Sequence, residues 1–160
     1  MKTVEIKSVL IVYDNVDELP GDVSKLMSKA IEARQNAYAP YSKFSVGAAI
    51  LLDNGEVVVG SNQENASFPS GLCAERTAIY AAGAQFPNAK VIKLAITAAS
   101  QVRQTVAPVA PCGACRQAIS EYEVKQGRPI DIYFMGETGK VVRSESLENL
   151  LPLVFDKSAL

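Results

Sequence analysis

Residues 45–62 read SVGAAILLDNGEVVVGSN, from Ser45 to Asn62. Two strand-like apolar runs, SVGAAILLD and EVVVGSN, meet at Asn54-Gly55. An Asn-Gly pair accepts the positive φ values of a tight turn at little cost, so the stretch predicts a β-hairpin. Working toward the N-terminus, Val23, Leu26, Met27, Ala30, Ile31 and Arg34 recur at helical spacing. They predict a helix over 22–37, opened by the Pro20-Gly21-Asp22 turn, capped by Asp22 or Ser24 and stopped at Ala39-Pro40-Tyr41-Ser42. Residues 3–13 alternate imperfectly and predict an edge strand or an ordered arm.

Toward the C-terminus, CAERTAIYAAGA (73–84) predicts a helix and KVIKLAITA (90–98) a strand. A second short helix is expected over 112–124, opening on two cysteines. PIDIYFMG and KVVRSE follow as strands around the Glu137-Thr138-Gly139 turn, and SLENLLP as a short final helix. The order α-β-β-α-β-α-β-β-α belongs to an α/β sheet with helices on its faces. No internal repeat or low-complexity linker interrupts it. The expected division is an N-terminal extension over 1–20 and one domain over 21–160.

The 160 residues carry a formal charge of −1, with 48% apolar and 21% charged residues, as in an ordinary soluble globular chain. No segment reaches the length of a membrane span. The opening MKTVEIKSVLIVYDN has Glu5 and Lys7 inside it and no small-residue cleavage site, so it does not read as a signal peptide. The expected compartment is the cytoplasm, where thiols stay reduced. Basic residues are scattered and Trp is absent, which disfavours a nucleic-acid polymer and favours a small, weakly charged partner. Histidine is also absent. That excludes a His general base, a Ser-His-Asp triad and any His metal ligand.

The three cysteines carry the chemistry. Cys112 and Cys115, in PCGACR, lie three apart in the first turn of a helix and so share a face. The helix N-terminus favours their thiolates. They fit a redox dithiol, half of a structural zinc site, or two ligands of a catalytic metal. Free cysteines are also common as small buried hydrophobes. Cys73 stands at another expected helix start, in Cys73-Ala74-Glu75. Three thiolates with no fourth cysteine and no histidine leave one coordination position open, as catalytic rather than structural zinc sites do. Glu75 is placed to act on a metal-bound water as a proton shuttle. Three thiolates with Zn²⁺ carry one net negative charge, which a nearby arginine would offset; Arg76 follows Glu75 and Arg116 follows Cys115.

The pairing of C-A-E with P-C-x-x-C resembles the zinc nucleobase and nucleoside deaminases in which Cys replaces the first His. The resemblance extends to the small homotetrameric cytidine deaminases from about Lys25 to Phe155. It is carried by AYAPYSKFSVGAAI, SNQENASFPSGLCAERTAI, VAPCGACRQ and ENLLPLVF. It implies a three-layer α/β/α fold around a central mixed five-stranded sheet. It implies one Zn²⁺ per subunit held by Cys73, Cys112 and Cys115, with Glu75 as proton shuttle and Arg76 hydrogen-bonding the thiolates. It implies that Asn62 and Glu64 bind the ribose 3′-hydroxyl, that Phe44 packs on the pyrimidine, and that the Ala74 N–H meets the pyrimidine carbonyl. Ala66, Phe68 and Phe155 match positions that reach a neighbouring subunit's site, so a homotetramer is implied. Many members carry Tyr where this chain has Phe68, which puts a polar contact there in doubt. Gln101–Val109 is longer than in the shortest members. The implied reaction is hydrolytic deamination of cytidine and 2′-deoxycytidine in pyrimidine salvage. The rival readings are a deaminase of the blasticidin S type, a non-catalytic zinc-binding module and a dithiol redox protein.

Overall fold

The Asn54-Gly55 hairpin forms one edge of the sheet in the computed structural model, which describes all 160 residues. Its arms are β2 (Phe44–Leu52) and β3 (Val57–Ser61), antiparallel, with Gly55 at φ +86° in the turn. The remaining elements are β1 (Ile11–Tyr13), α1 (Gly21–Arg34), α2 (Ala74–Gln85), β4 (Val91–Ser100), α3 (Gly113–Gln126), β5 (Asp131–Met135) and β6 (Val141–Ser144). The strand order is β1-β6-β5-β4-β2-β3. β4 and β5 run parallel, joined through α3, and every other pair is antiparallel. The sheet is mixed, as expected.

It has six strands where the family resemblance implied five, and the sixth falls within residues 3–13, where an edge strand or an arm was expected. The sixth is β1, which lies antiparallel to β6 with Ile11 opposite Arg143 and Tyr13 opposite Val141. Three residues make so short a strand that only the exposed edge of β6 defines it. Two further expectations fail. Neither Asp22 nor Ser24 caps α1: Pro20 holds the N-cap with no side-chain bond, and Asp22 instead pairs with Lys93 on β4. The final helix shrinks to one tight turn, Leu147–Asn149, capped by Ser146 accepting from the Glu148 N–H. Pro152 disfavours helical backbone at Leu151, so the turn does not propagate.

Side chains alternate across the strands and build a core on each face. Ala48, Ile50, Leu52, Leu94, Ile96, Ile132 and Phe134 face α2 and α3, meeting Ala78, Ile79, Ala82 and Ile119. Ala49, Ala95, Tyr133 and Met135 face α1, meeting Val23, Leu26, Met27 and Ala30. The result is three layers, with α1 on one side and α2 and α3 on the other. Two glycines set the spacing. A Cβ on Gly47 would stand 2.0 Å from the Ala30 carbonyl oxygen of α1, and one on Gly60 would stand 2.6 Å from the Ala74 carbonyl oxygen of α2. Gly60 therefore lets β3 approach the first turn of α2 closely. That turn and the start of α3 open beside each other near the carboxyl end of β4.

Candidate active site

Cys73 and Cys112 are the N-cap residues of α2 and α3, both with extended backbone, and Cys115 lies buried in the first turn of α3. The two helix starts bring the three thiols together. Cys73 Sγ lies 3.8 Å from Cys112 Sγ, Cys112 Sγ lies 3.5 Å from Cys115 Sγ, and all three fall within 4.8 Å. Zinc–thiolate bonds of about 2.3 Å in a tetrahedron place sulfurs about 3.8 Å apart, so the trio fits the ion with little rearrangement. No fourth protein ligand joins the cluster. The donor set is therefore that of an open site.

Electrostatics agree with a shared anionic centre. Cys73 is pulled down to about 5 by the hydrogen bond from Cys115, with Arg76 and Cys112 adding to the effect. Cys115 is pushed up by the same bond to Cys73 and by burial. The network thus favours the thiolate at Cys73. Arg76 Nη2 reaches Cys73 Sγ at 3.7 Å, and the thiolates in turn strengthen the guanidinium's hold on its proton. Arg116 does not share this task. It donates from Nε to the Pro111 carbonyl at 2.8 Å and from Nη1 to the Leu150 carbonyl at 2.7 Å, tying the start of α3 to the C-terminal segment.

Glu75 sits one residue inside α2, only 4% exposed, and burial raises its pKa above the ordinary carboxylate value. It lines a cavity of about 410 Å³ together with Phe44, Val46, Asn62, Glu64, Cys73, Ile96, Ala98, Val109, Ala110 and Cys112. The walls are mostly apolar with a few polar groups among them, the usual make-up of a small-molecule site. A more open cavity of about 510 Å³ adjoins it, sharing Ser42, Asn62, Glu64 and Cys73, and reaching Tyr41, Phe68, Leu72 and Arg76.

Asn62 and Glu64 leave β3 and face this cavity, but each also braces the chain opposite. Asn62 Oδ1 accepts from the Val46 N–H at 2.7 Å, and its Nδ2 donates to the Phe44 carbonyl at 2.9 Å. Glu64 Oε2 accepts from the Tyr41 and Ser42 N–H groups at 2.9 and 3.2 Å. One amide hydrogen of Asn62 and the second carboxylate oxygen of Glu64 are left for a ligand. Ala74 is buried, and its N–H is one of the first-turn donors without a helical partner. Ala66 and Phe155 are exposed and line neither cavity, whereas Phe68 is 75% exposed and lines the outer one, edge-on to Tyr41. Ser42, Val46, Ile96, Ala98, Val109 and Ala110 were not singled out from sequence. Val109 and Ala110 stand just before Pro111-Cys112, and that adjacency was the available signal.

With this geometry in place, three comparisons bear on the chain. The family model for the cytidine and deoxycytidylate deaminase zinc-binding region matches residues 21–127. A cytidine deaminase of Halalkalibacterium halodurans is 39% identical over 135 residues, covering 84% of this chain and 94% of that protein. One of Sporosarcina psychrophila is 37% identical over 139 residues, covering 87% and 95%. Among solved structures, the cytidine deaminase of Burkholderia pseudomallei superposes with a TM-score of 0.70 at 36% identity, covering 86% of this chain and all of the other.

Proposed function

The chain belongs to the cytidine and deoxycytidylate deaminase family, and from that premise we infer that it is a zinc-dependent enzyme hydrolysing the exocyclic amine of cytidine, yielding uridine and ammonia. The observation that carries the reading is the meeting of three thiols beside a buried carboxyl, with Cys73, Cys112 and Glu75 lining a nucleoside-sized cavity. Cys73, Cys112 and Cys115 would hold the zinc, and Arg76 would offset the surplus negative charge of three thiolates. Zinc, when bound, supplies Lewis acidity that lowers the pKa of a water toward neutrality.

The chain's own part is proton handling and positioning. Glu75 accepts a proton from the attacking water and delivers it to ring N3 while the water oxygen bonds to C4. It then carries the second proton to the amino group, ammonia departs, and C4 is left as a carbonyl. A carboxyl held above its ordinary pKa by burial suits both directions of transfer. Phe44 packs on the pyrimidine and the Ala74 N–H meets its carbonyl. Asn62 and Glu64 bind the ribose 3′-hydroxyl as donor and acceptor. Because the clasp ignores the 2′ position, 2′-deoxycytidine is also a substrate. Because it needs a free 3′-hydroxyl, internal residues of a nucleic acid are not.

We further propose a homotetramer in which Ala66, Phe68 and Phe155 approach neighbouring sites, and a cytoplasmic place in pyrimidine salvage. The exposure of all three apolar residues supports the assembly. No helix is long and apolar enough to cross a membrane. A closed zinc module is not favoured, since it needs a fourth protein ligand. Product analysis tests the reading: the protein converts cytidine and 2′-deoxycytidine to the uracil nucleosides with one ammonia each, and leaves a cytosine-containing oligonucleotide unchanged. Deamination of the oligonucleotide, or of neither nucleoside, would overturn it.

A further inference from the structure

The turn 41–44 contains the chain's one non-glycine residue with positive φ, Lys43 at +55°. L-residues avoid this region because Cβ crowds the following carbonyl, and β-branched residues avoid it most. The conformation is held at several points. The Lys43 N–H donates to the Ala39 carbonyl at 3.2 Å, and the Lys43 carbonyl accepts from the Gln101 N–H at 2.8 Å. The Phe44 N–H donates to Ser42 Oγ at 3.1 Å. Gln101 Nε2 donates to Ser45 Oγ at 3.2 Å, so the 101–109 loop is fastened to the same turn from the far side.

Two substrate-facing groups depend on this one piece of backbone. The Tyr41 and Ser42 N–H groups converge on Glu64 Oε2, and Phe44 begins the strand that leaves the turn. An extended Lys43 would swing the pair of N–H donors and the Phe44 ring apart. We propose that the left-handed Lys43 turn is a specificity-determining positioning element, fixing the sugar-reading carboxylate of Glu64 relative to the base-packing ring of Phe44. It acts through its backbone and not through the lysine charge. Strain kept beside a binding site is the kind of outlier from which such a role can be inferred. The inference rests on the nucleoside reading given above.

Three variants separate the possibilities. Lys43→Val penalises the left-handed backbone, whereas Lys43→Gly and Lys43→Asn accept it and also remove the charge. Each is assayed for KM and kcat with cytidine and with 3′-deoxycytidine, alongside zinc content and melting temperature. Lys43→Val is expected to raise KM for cytidine roughly tenfold, to shrink the preference over 3′-deoxycytidine by a similar factor, and to keep zinc and most of kcat. The Gly and Asn variants are expected to stay within about twofold of the parent on both substrates, because both residues tolerate positive φ. Ser42→Ala, which removes the acceptor for the Phe44 N–H and the hydroxyl that bonds Glu64, loosens both ends of the turn and covers the case in which Lys43→Val does not fold. It is expected to raise KM a few-fold for cytidine and to narrow the preference over 3′-deoxycytidine, as loss of modest hydrogen bonds does. Parental specificity in Lys43→Val, or equal losses in all three Lys43 variants, would overturn the proposal, as would an unchanged Ser42→Ala should Lys43→Val not fold. A parent that deaminates neither nucleoside removes the proposed function itself, and this inference with it.

Discussion

Replacing Glu75 by Gln removes the proposed proton carrier while preserving its volume. Nothing else in the inner cavity can stand in. The one other carboxylate on its wall, Glu64, is occupied at Oε2 by two backbone N–H groups, and hydrogen bonding led by Ser42 holds its pKa below the ordinary value. General acid–base catalysis contributes roughly 10²–10⁴ per positioned group, and in the proposed mechanism Glu75 serves two transfers in one turnover. A fall in kcat of about 10⁴ or more follows, which is at least about 5.5 kcal/mol in the barrier. The three thiols are untouched, so metal analysis is expected to find one zinc per chain in both proteins. Burial opposes ionisation of Glu75, so its charge costs stability above the raised pKa and nothing below the ordinary one. The Gln variant is therefore expected to melt no lower than the parent at neutral pH. A zinc-replete variant that keeps more than about a hundredth of the parental kcat would refute the assignment of Glu75 as shuttle, since even one lost transfer costs more.

Three further substitutions probe other parts of the structure. Glu64→Gln can still accept the Tyr41 and Ser42 N–H groups but loses the proposed ribose acceptor; kcat/KM is expected to fall roughly 10- to 100-fold for cytidine and to stay level for 3′-deoxycytidine. Gly60→Ala forces a Cβ against the Ala74 carbonyl and the Ala78 N–H, both 2.6 Å away; a loss of roughly 1–3 kcal/mol in denaturant unfolding is expected, with weaker zinc retention against a chelator. Asp22→Asn breaks the pair with Lys93, whose hydrogen bond is the main reason the carboxyl titrates below its ordinary value of 3.8. A depressed carboxylate stabilises above its unfolded pKa and stops doing so as pH falls through the folded one. The variant should thus be less stable at pH 7, by under about 1 kcal/mol because the aspartate side chain is 55% exposed, and match the parent in acid.

The hairpin was legible because Asn54-Gly55 prescribes a local backbone, and its arms appear as β2 and β3. The helix starts at Cys73 and Cys112 were legible for a related reason: three donors at two helix openings can meet only if both helices lie on one face of the sheet. What failed depended on partners far along the chain. The count of five strands failed because the edge strand expected within residues 3–13 joins the sheet at the edge β6 offers, and Asp22 is drawn from capping by Lys93, 71 residues away. Arg116 looked comparable to Arg76 because each lies in the helix turn that a cysteine opens, yet the Pro111 and Leu150 carbonyls claim it. The bracing roles of Asn62 and Glu64 were equally hidden. Their residue types suggest a clasp for a hydroxyl, and only the fold shows that half of each side chain is already spent on the 41–46 segment.

The most direct test is the ultraviolet spectrum of cytidine followed over time with the purified protein, before and after a strong zinc chelator and again after zinc is returned. The expected result is conversion to the uridine spectrum, abolished by the chelator and restored by the metal. An unchanged cytidine spectrum, with protein carrying one zinc per chain, would contradict the assignment of this site to cytidine deamination.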